Sequence, residues 1–320
     1  MLLASFAMRG RNALCNVRCS LNEPREPSSP PPPMPTLRWI SRLGALVAVC
    51  SSSLASQAKP AARMAAAKAA VAPPVVLIEA MDFAFKVPAT APAGLVTVRL
   101  RNTGKALHHV QLARMNPGQT LADFMTQMRR SPGSSNWRES EGGPTSAIGG
   151  QVLETQMILA PGTYAVWCWI PSEDGSPHYM KGMYSKLEVS GPSSRAVVPR
   201  GDVQITLSDY DYALSSAPVT GIQTWRIENK GPQAHEVTLV KLNRGKTALD
   251  VLNWYEDGQR TEAPGRMMGG TSSIAPGRAV TSRFDLGPGE YALLCFTPEH
   301  LNGTGKPHAD MGMMKTISVR

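Results

Sequence analysis

The sequence predicts an all-β protein made of two similar halves, and three observations support this prediction. The 320-residue chain is rich in glycine (28) and proline (27) and poor in aromatic residues (6%), a composition typical of a fold with many turns. Long amphipathic helical patterns are scarce. The same segments also occur twice in the same order, which indicates two domains, each large enough at about 115 residues to bury its own core.

Three pairs of segments define the repeat. The first two pairs share one offset along the chain, and the third is displaced slightly further because the second copy has three extra residues. Each copy therefore carries one His, one Cys, one His and one Met in the same order. The pairs are NTGKALHHVQL (102–112) with NKGPQAHEVTL (229–239), PGTYAVWC (161–168) with PGEYALLC (288–295), and PHYMKGM (177–183) with PHADMGM (307–313).

The segment 1–58 stands outside this repeat. From Met34 onward it reads as a secretory signal peptide, with a basic start, a short apolar run and small residues before a cleavage after Ala58. We therefore expect Met34 to be the true start, residues 1–33 to be an upstream mis-assignment, and the protein to be exported to the periplasm or the exterior. The apolar run is too short to span a membrane, and Val49 before Cys50 does not match a lipoprotein signal.

The remaining chain divides into a leader, two domains and a linker. A composition rich in Ala, Lys and Pro predicts that the leader is flexible. Each domain should contain one short helix, which opens with a Thr followed three residues later by an Asp. The expected helices cover 120–130 and 247–258. The expected bounds are 1–58 for the upstream segment and signal peptide, 59–73 for the leader, 74–191 for the first domain, 192–200 for the linker and 201–320 for the second domain.

Charge and cysteine content narrow the classes of partner. The segment 1–58 contributes +4 of the formal charge of +9, which leaves +5 on the rest of the chain. That remainder has no block of like charges, so the sequence does not predict nucleic-acid binding. Cys168 and Cys295 are the cysteines of the repeats. Because they occupy equivalent places in separate repeats, a disulfide between them is the less favoured alternative.

Two features of each copy resemble the cupredoxins, or blue copper proteins. One is the Asn-x-Gly turn followed by a His, and the other is a late strand that ends in Cys and is followed by a His and a Gly-Met. The resemblance covers nearly all of both domains and implies two tandem Greek-key β-sandwiches, each with one short inserted helix. We expect them to be separate and of matching topology, with no sheet shared between them. The sites implied by the resemblance are His108, Cys168, His178 and Met183 in the first domain, and His235, Cys295, His308 and Met313 in the second.

This ligand set suits copper, because two imidazoles and a thiolate form a trigonal plane beside a weak axial thioether. At most one copper per domain is expected. His108 is the candidate rather than His109, because His108 aligns with His235 whereas His109 aligns with Glu236. We expect His109 to be exposed or to lie behind the ligands. Met180 and Met311 have no matching methionine in the other copy, and they are not candidates.

These features favour an exported copper protein that transfers single electrons, with a redox protein as its partner. Two alternatives stay open: a copper-handling protein without redox duty, and a metal-free cupredoxin-like module that binds or supports other molecules. Nitrite reductases and multicopper oxidases need a second copper centre fed by a His beside the Cys. The sequence contains no His-Cys or His-Cys-His string, so we predict that the protein is not an enzyme of either kind. The redox partner, the potential and the oligomeric state are left open.

The unequal ligand loops predict unequal sites. Nine residues separate Cys168 from His178 and twelve separate Cys295 from His308, and the longer loop contains the run NGTG at 302–305. A more flexible loop loses more conformational entropy on binding, so the first domain should bind copper more tightly. Copper titrations of the Cys168→Ser and Cys295→Ser variants measure each remaining site. Equal affinities, or tighter binding by the second site, would contradict this prediction.

Overall fold

Alternation of apolar and polar residues produces the strands of both halves. Along the first strand, Val75–Met81, the side chains of Val76, Ile78 and Ala80 are buried and those between them are more exposed. This pattern fits a strand with one face on a core. In the computed structural model the described residues are 71–130, 139–299 and 305–320.

The first half contains, within the described residues, nine strands and one helix. In chain order they are β1 (Val75–Met81), β2 (Ala84–Lys86), β3 (Thr90–Pro92), β4 (Gly94–Asn102), β5 (Gln111–Arg114), α1 (Leu121–Arg130), β6 (Ser140–Gly142), β7 (Val152–Leu159), β8 (Gly162–Trp167) and β9 (Tyr184–Ser190).

The second half repeats this order with eight strands and one helix in the part of the chain that is described. They are β10 (Val203–Ser208), β11 (Asp211–Leu214), β12 (Gly221–Asn229), β13 (His235–Leu242), α2 (Ala248–Glu256), β14 (Gly265–Ile274), β15 (Ala279–Leu286), β16 (Gly289–Leu294) and β17 (Met314–Val319).

Each half is a sandwich of two sheets. The chain crosses between the sheets after β4, β6 and β7, and again after the equivalent strands β12, β14 and β15; in the first half it also visits the second sheet at β3. One layer holds β2, β1, β4 and β7, which match β11, β10, β12 and β15. The other holds β3, β9, β8, β5 and β6, of which the last four match β17, β16, β13 and β14. The all-β, tandem-sandwich prediction with one helix per half is confirmed.

The expectation that no sheet is shared is wrong. Strand β7 pairs with β15 through Gln156 and Thr281, and β6 pairs with β14 through Glu141 and Ile274. The layers therefore continue from one half into the other as an eight-stranded and a nine-stranded sheet. The physical reason is that an unpaired edge strand exposes a row of backbone donors and acceptors. Here equivalent edges of the two halves cover each other.

Buried side chains extend this connection through the interior. A single cluster of buried apolar residues draws members from both halves. Across the junction, the hydroxyl oxygens of Thr145 and Thr238 lie 2.6 Å apart, and Thr155 donates to the carbonyl of Gly270 at 2.7 Å. Both hydrogen bonds are buried, so polar as well as apolar groups join the halves through the interior.

Both helices begin as the sequence predicts. Thr120 accepts from the backbone N–H of Asp123 while the Asp123 carboxylate accepts from that of Thr120. The same reciprocal capping box joins Thr247 and Asp250 at the start of α2. The helix α1 buries Phe124, Met125 and Met128, whereas α2 buries a wider apolar set.

Several predictions about the ends of the chain stay predictions. The signal peptide, the start at Met34 and most of the leader lie outside the described residues. The domain bounds at 191 and 201 are not tested by the strands, although β9 ends at Ser190 and β10 begins at Val203. Among the described residues, neither helix is long and apolar enough to cross a membrane.

One ion pair at the junction gives a test of this arrangement. Arg278 of the second half lies 2.8 Å from the Glu141 carboxylate of the first half, whose side chain is only 4% exposed. Arg278→Ala should lower the free energy of unfolding by about 1–3 kcal/mol, because it leaves a buried acid without its partner while the arginine itself is partly solvated. Urea denaturation measures the loss.

The matched control is Arg283→Ala, which removes an exposed arginine of β15, the strand that begins directly after Arg278. It should change the free energy of unfolding by no more than about 0.5 kcal/mol. Because the sheets are continuous, both variants should unfold in one transition. Two separate transitions, with only one shifted by Arg278→Ala, would contradict the joined halves.

Candidate metal centres

The upstream histidine of each half is presented by an asparagine-fixed turn. The Asn102 side chain donates to the carbonyls of Ala106 and Ala147, both at 2.8 Å, and accepts from the N–H of Gly104. Asn229 makes the equivalent bonds to Gln233, Ile274 and Gly231. The Asn-x-Gly motif therefore closes the turn and directs His108, or His235, into the sandwich.

The cysteine and the second histidine come from the loop that follows β8 or β16. In the first half, Cys168 accepts at its carbonyl from the N–H of Tyr179, and His178 donates its N–H to the carbonyl of Ile170. His178 also opens a short 3-10 turn that ends at Gly182, where φ is +104°. These bonds fold the loop back onto the strand end and place His178 beside Cys168.

The first group contains His108, Cys168 and His178, all of which are buried. The two Nδ1 atoms of the histidines lie 3.1 Å apart, and the Cys168 Sγ lies 3.6 Å from the Nδ1 of His178. All candidate ligand atoms of the group lie within 4.8 Å of one another.

The second group contains His235, Cys295 and His308 and repeats this geometry. The two Nδ1 atoms are 3.0 Å apart, and the Cys295 Sγ is 3.5 Å from the Nδ1 of His308. This group is also buried and lies within the same 4.8 Å limit. The prediction of a weaker second site depends on residues 302–304, which lie outside the described residues. His300 also lies outside them.

Both groups fit a first-row metal ion in size and chemistry. In a trigonal plane, the nitrogens lie about 2.0 Å and the sulfur about 2.3 Å from the ion. These three donor atoms are then about 3.5 Å from each other. The distances between the two histidines and between the cysteine and the second histidine are within about 0.5 Å of that figure in both groups. A soft sulfur with two imidazole nitrogens is a donor set that copper and zinc accept, and the trigonal set with a distant thioether favours copper.

The methionines lie next to these groups. Met183 and Met313 are fully buried. The backbone of Met183 bonds to both Cys168 and His178, and that of Met313 bonds to Cys295 and His308. Their position is compatible with the axial role that we predict, and that role stays a prediction. The excluded methionines, Met180 and Met311, are 49% and 38% exposed.

Comparison with solved structures bears on the architecture of the halves. A dithionite-reduced auracyanin from Roseiflexus castenholzii aligns over 38% of this chain and 100% of its own, with 20% identity and a TM-score of 0.28. Auracyanin A, a blue copper protein from Chloroflexus aurantiacus, aligns over 37% and 99%, with 22% identity and a TM-score of 0.28.

Each half resembles a cupredoxin-like sandwich. A blue copper oxidase from Nitrosomonas europaea also matches, over 77% of this chain and 85% of its own, with 15% identity and a TM-score of 0.23. No protein-family model matches the sequence, and no curated protein matches it. The likeness to these cupredoxins is one of fold.

The prediction that the chain is not an enzyme is wrong. It relied on the lack of a contiguous His-Cys or His-Cys-His string, yet the fold assembles two His–Cys–His groups from residues far apart in sequence. A blue copper oxidase is also among the matching structures. Because strands and loops bring distant ligands together, a missing string excludes neither such a group nor oxidase or reductase activity.

The disulfide alternative can be set aside, since Cys168 and Cys295 are both free and buried. Burial raises the pKa of each thiol to about 12, and at Cys295 the nearby Glu236 carboxylate acts in the same direction. Burial also lowers the pKa of His178 to about 4, with the neighbouring His108 adding to the effect. At neutral pH the metal-free first group therefore has a protonated thiol and neutral imidazoles.

His109 and Glu236 occupy equivalent places behind the two groups. His109 accepts from the N–H of Trp169 at 3.0 Å, and Glu236 accepts from the N–H of Phe296 at 3.0 Å. Each donor directly follows the cysteine of its group. We predicted that His109 is either exposed or behind the ligands. It is buried and lies behind them, so the second alternative is the correct one. Burial lowers the pKa of His109 to about 3 and raises that of Glu236 to about 7.

Two carboxylates that the sequence did not indicate contact the first histidines. The Nε2 of His108 lies 3.2 Å from Asp82, and the Nε2 of His235 lies 2.8 Å from Asp209. Both acids precede their histidine by the same interval, and they are related to each other by the repeat offset. That shared offset marks the two acids as part of the repeat, although it does not show that they reach the histidines.

The protonated thiol leads to a prediction about metal uptake. In the Cys295→Ser variant, binding of Cu(II) near pH 7 should release about one proton, because the Cys168 thiol must ionise whereas the neutral histidines carry no proton to lose. The affinity should rise about tenfold per pH unit in this range. Anaerobic calorimetric titration in buffers of different ionisation enthalpy counts the protons. Binding without proton release would show that the thiol is already ionised.

Proposed function

We propose that this protein is exported, binds one copper in each half and transfers single electrons to or from a redox protein. The observation that carries the proposal is the duplicated group of two histidine Nδ1 atoms and one cysteine Sγ, buried at the same place in two cupredoxin halves. Copper bound to such a group supplies a one-electron change between Cu(I) and Cu(II).

The protein contributes a rigid and dry frame. His108 is held by the backbone bridge to Ala147, and His178 by its backbone bond to Ile170. Ligands that are fixed before binding need to move little when the charge of a bound ion changes, because their positions are set by strand and loop hydrogen bonds. Burial of all three ligand residues also keeps bulk water from the donor atoms.

The cysteine environment favours ligation over other thiol chemistry. Burial holds Cys168 and Cys295 as neutral thiols in the metal-free protein, and a neutral thiol is a poor nucleophile. A bound cation reverses this preference, since a coordinating thiol is deprotonated. The two cysteines therefore fit a metal ligand better than a reactive or redox-sensing thiol.

Metal analysis and spectroscopy test the proposal. The copper-loaded, oxidised protein should contain up to two copper ions and show the intense blue absorption typical of a Cys–copper bond. Cys168→Ser and Cys295→Ser should each remove the contribution of one half, and the double variant should be colourless. Copper bound without colour would favour a copper-handling protein without redox duty. No copper in the purified or reconstituted protein would favour the metal-free module.

A further inference from the structure

A two-residue hairpin turn touches both histidines of each group. Asp82 and Phe83 connect β1 to β2, and Asp209 and Tyr210 connect β10 to β11, at the same offset as the rest of the repeat. Phe83 and Tyr210 both have φ of +64°. Bulky side chains seldom adopt this left-handed conformation, and such residues persist where the surrounding structure holds them.

The acid of each turn contacts the first histidine. Asp82 Oδ1 lies 3.2 Å from Nε2 of His108, and Asp209 Oδ1 lies 2.8 Å from Nε2 of His235. A carboxylate is an acceptor, so the imidazole presents Nε2–H to it and leaves the Nδ1 lone pair unprotonated. In both halves this Nδ1 is the atom that faces the second histidine.

The acid itself is held in place by the Asn-x-Gly turn. Asp82 accepts from the backbone N–H groups of Lys105 and Ala106, and Asp209 accepts from the side chain of Gln233. The glycine of the motif makes room for the acid. A Cβ on Gly104 would lie 2.3 Å from Asp82 Oδ1, and one on Gly231 would lie 2.9 Å from Asp209 Oδ1 and 2.8 Å from Nε2 of His235.

The aromatic residue of each turn contacts the second histidine. The Phe83 ring meets His178 edge to face, with centroids 5.0 Å apart and an interplanar angle of 82°. Tyr210 meets His308 in the same way, at 5.4 Å and 89°. Aromatic rings favour this arrangement. The left-handed φ is what turns the ring toward the histidine rather than continuing the strand.

We propose that the Asp–aromatic turns, Asp82–Phe83 and Asp209–Tyr210, are positioning elements for the two metal sites. The acid fixes the tautomer and ring orientation of the first histidine, and the aromatic ring fixes the plane of the second. This inference rests on the proposed copper function, which it deepens. Acids that accept from the distal nitrogen of a metal-binding histidine commonly orient it in this way and make it a better ligand.

The first test needs no metal. Long-range nitrogen-15 NMR of the metal-free protein reports which nitrogen of each histidine carries the proton. His108 and His235 should both be protonated at Nε2. In Asp209→Asn, the amide can rotate to donate to Nε2, so His235 should shift toward the Nδ1-protonated form while His108 stays unchanged. Finding Nδ1 protonated at His108 and His235 in the unmodified protein would overturn the inference.

The second test measures copper affinity at one site. In a Cys168→Ser background, Asp209→Asn should weaken copper binding about 10–100-fold. The matched control is Asp211→Asn, two residues along the chain, whose side chain is 64% exposed and pairs with Lys315; it should leave affinity unchanged. Equal copper affinities of the two variants would overturn the inference. So would a fall in the copper affinity of Asp209→Asn that is fully accounted for by a lower thermal stability of its metal-free form.

A third comparison isolates the ring. Tyr210→Phe keeps the aromatic edge and should bind copper in the Cys168→Ser background as the parent does. Tyr210→Leu should bind copper more weakly, and its His308 ring signals in NMR spectra should be broader. Equal copper affinities of the two variants would show that the ring is not part of the positioning element. If copper does not bind at all, the proposed function fails, and the tautomers of the metal-free protein alone decide the role of the acids.

Discussion

Each half is arranged around one constraint: it must hold two imidazoles and a thiol within 4.8 Å of one another and away from water. Buried polar groups cost free energy unless they are hydrogen-bonded or coordinated. The surrounding segments meet that cost with backbone bonds to the loop and a carboxylate on the first histidine. The consequence is a preorganised set of donors, whose thiol would have to give up its proton to hold a cation.

The halves depend on each other more than a simple tandem repeat requires. Besides the shared sheets and core, the turn that follows α2 in the second half contacts the first ligand loop. Arg260 donates to the carbonyl of Glu173 at 2.5 Å, and Gly258 packs so closely that a Cβ would lie 3.0 Å from the Cα of Glu173. The loop between Cys168 and His178 is thus supported by a turn that is not part of its own half.

The two sites share geometry but differ in the group behind them. His109 and Glu236 accept the same hydrogen bond, from the N–H that follows the cysteine. At neutral pH, a neutral imidazole stands behind the first group, whereas a carboxyl with a pKa of about 7 stands behind the second. A repeat with equal ligands therefore offers two electrostatic environments, and the second places more negative charge near its thiol.

The sequence by itself determined the repeat, the all-β class, the two capped helices and the histidines and cysteines that converge, because these follow from alternation, turn chemistry and ligand order. Tertiary structure alone decided the rest. Strand alternation does not specify which edges pair, so the joining of β7 to β15 was not predicted. Asp82 and Asp209 lie far along the chain from their histidines, and only parallel pairing of β1 with β4 and of β10 with β12 brings each acid to its imidazole.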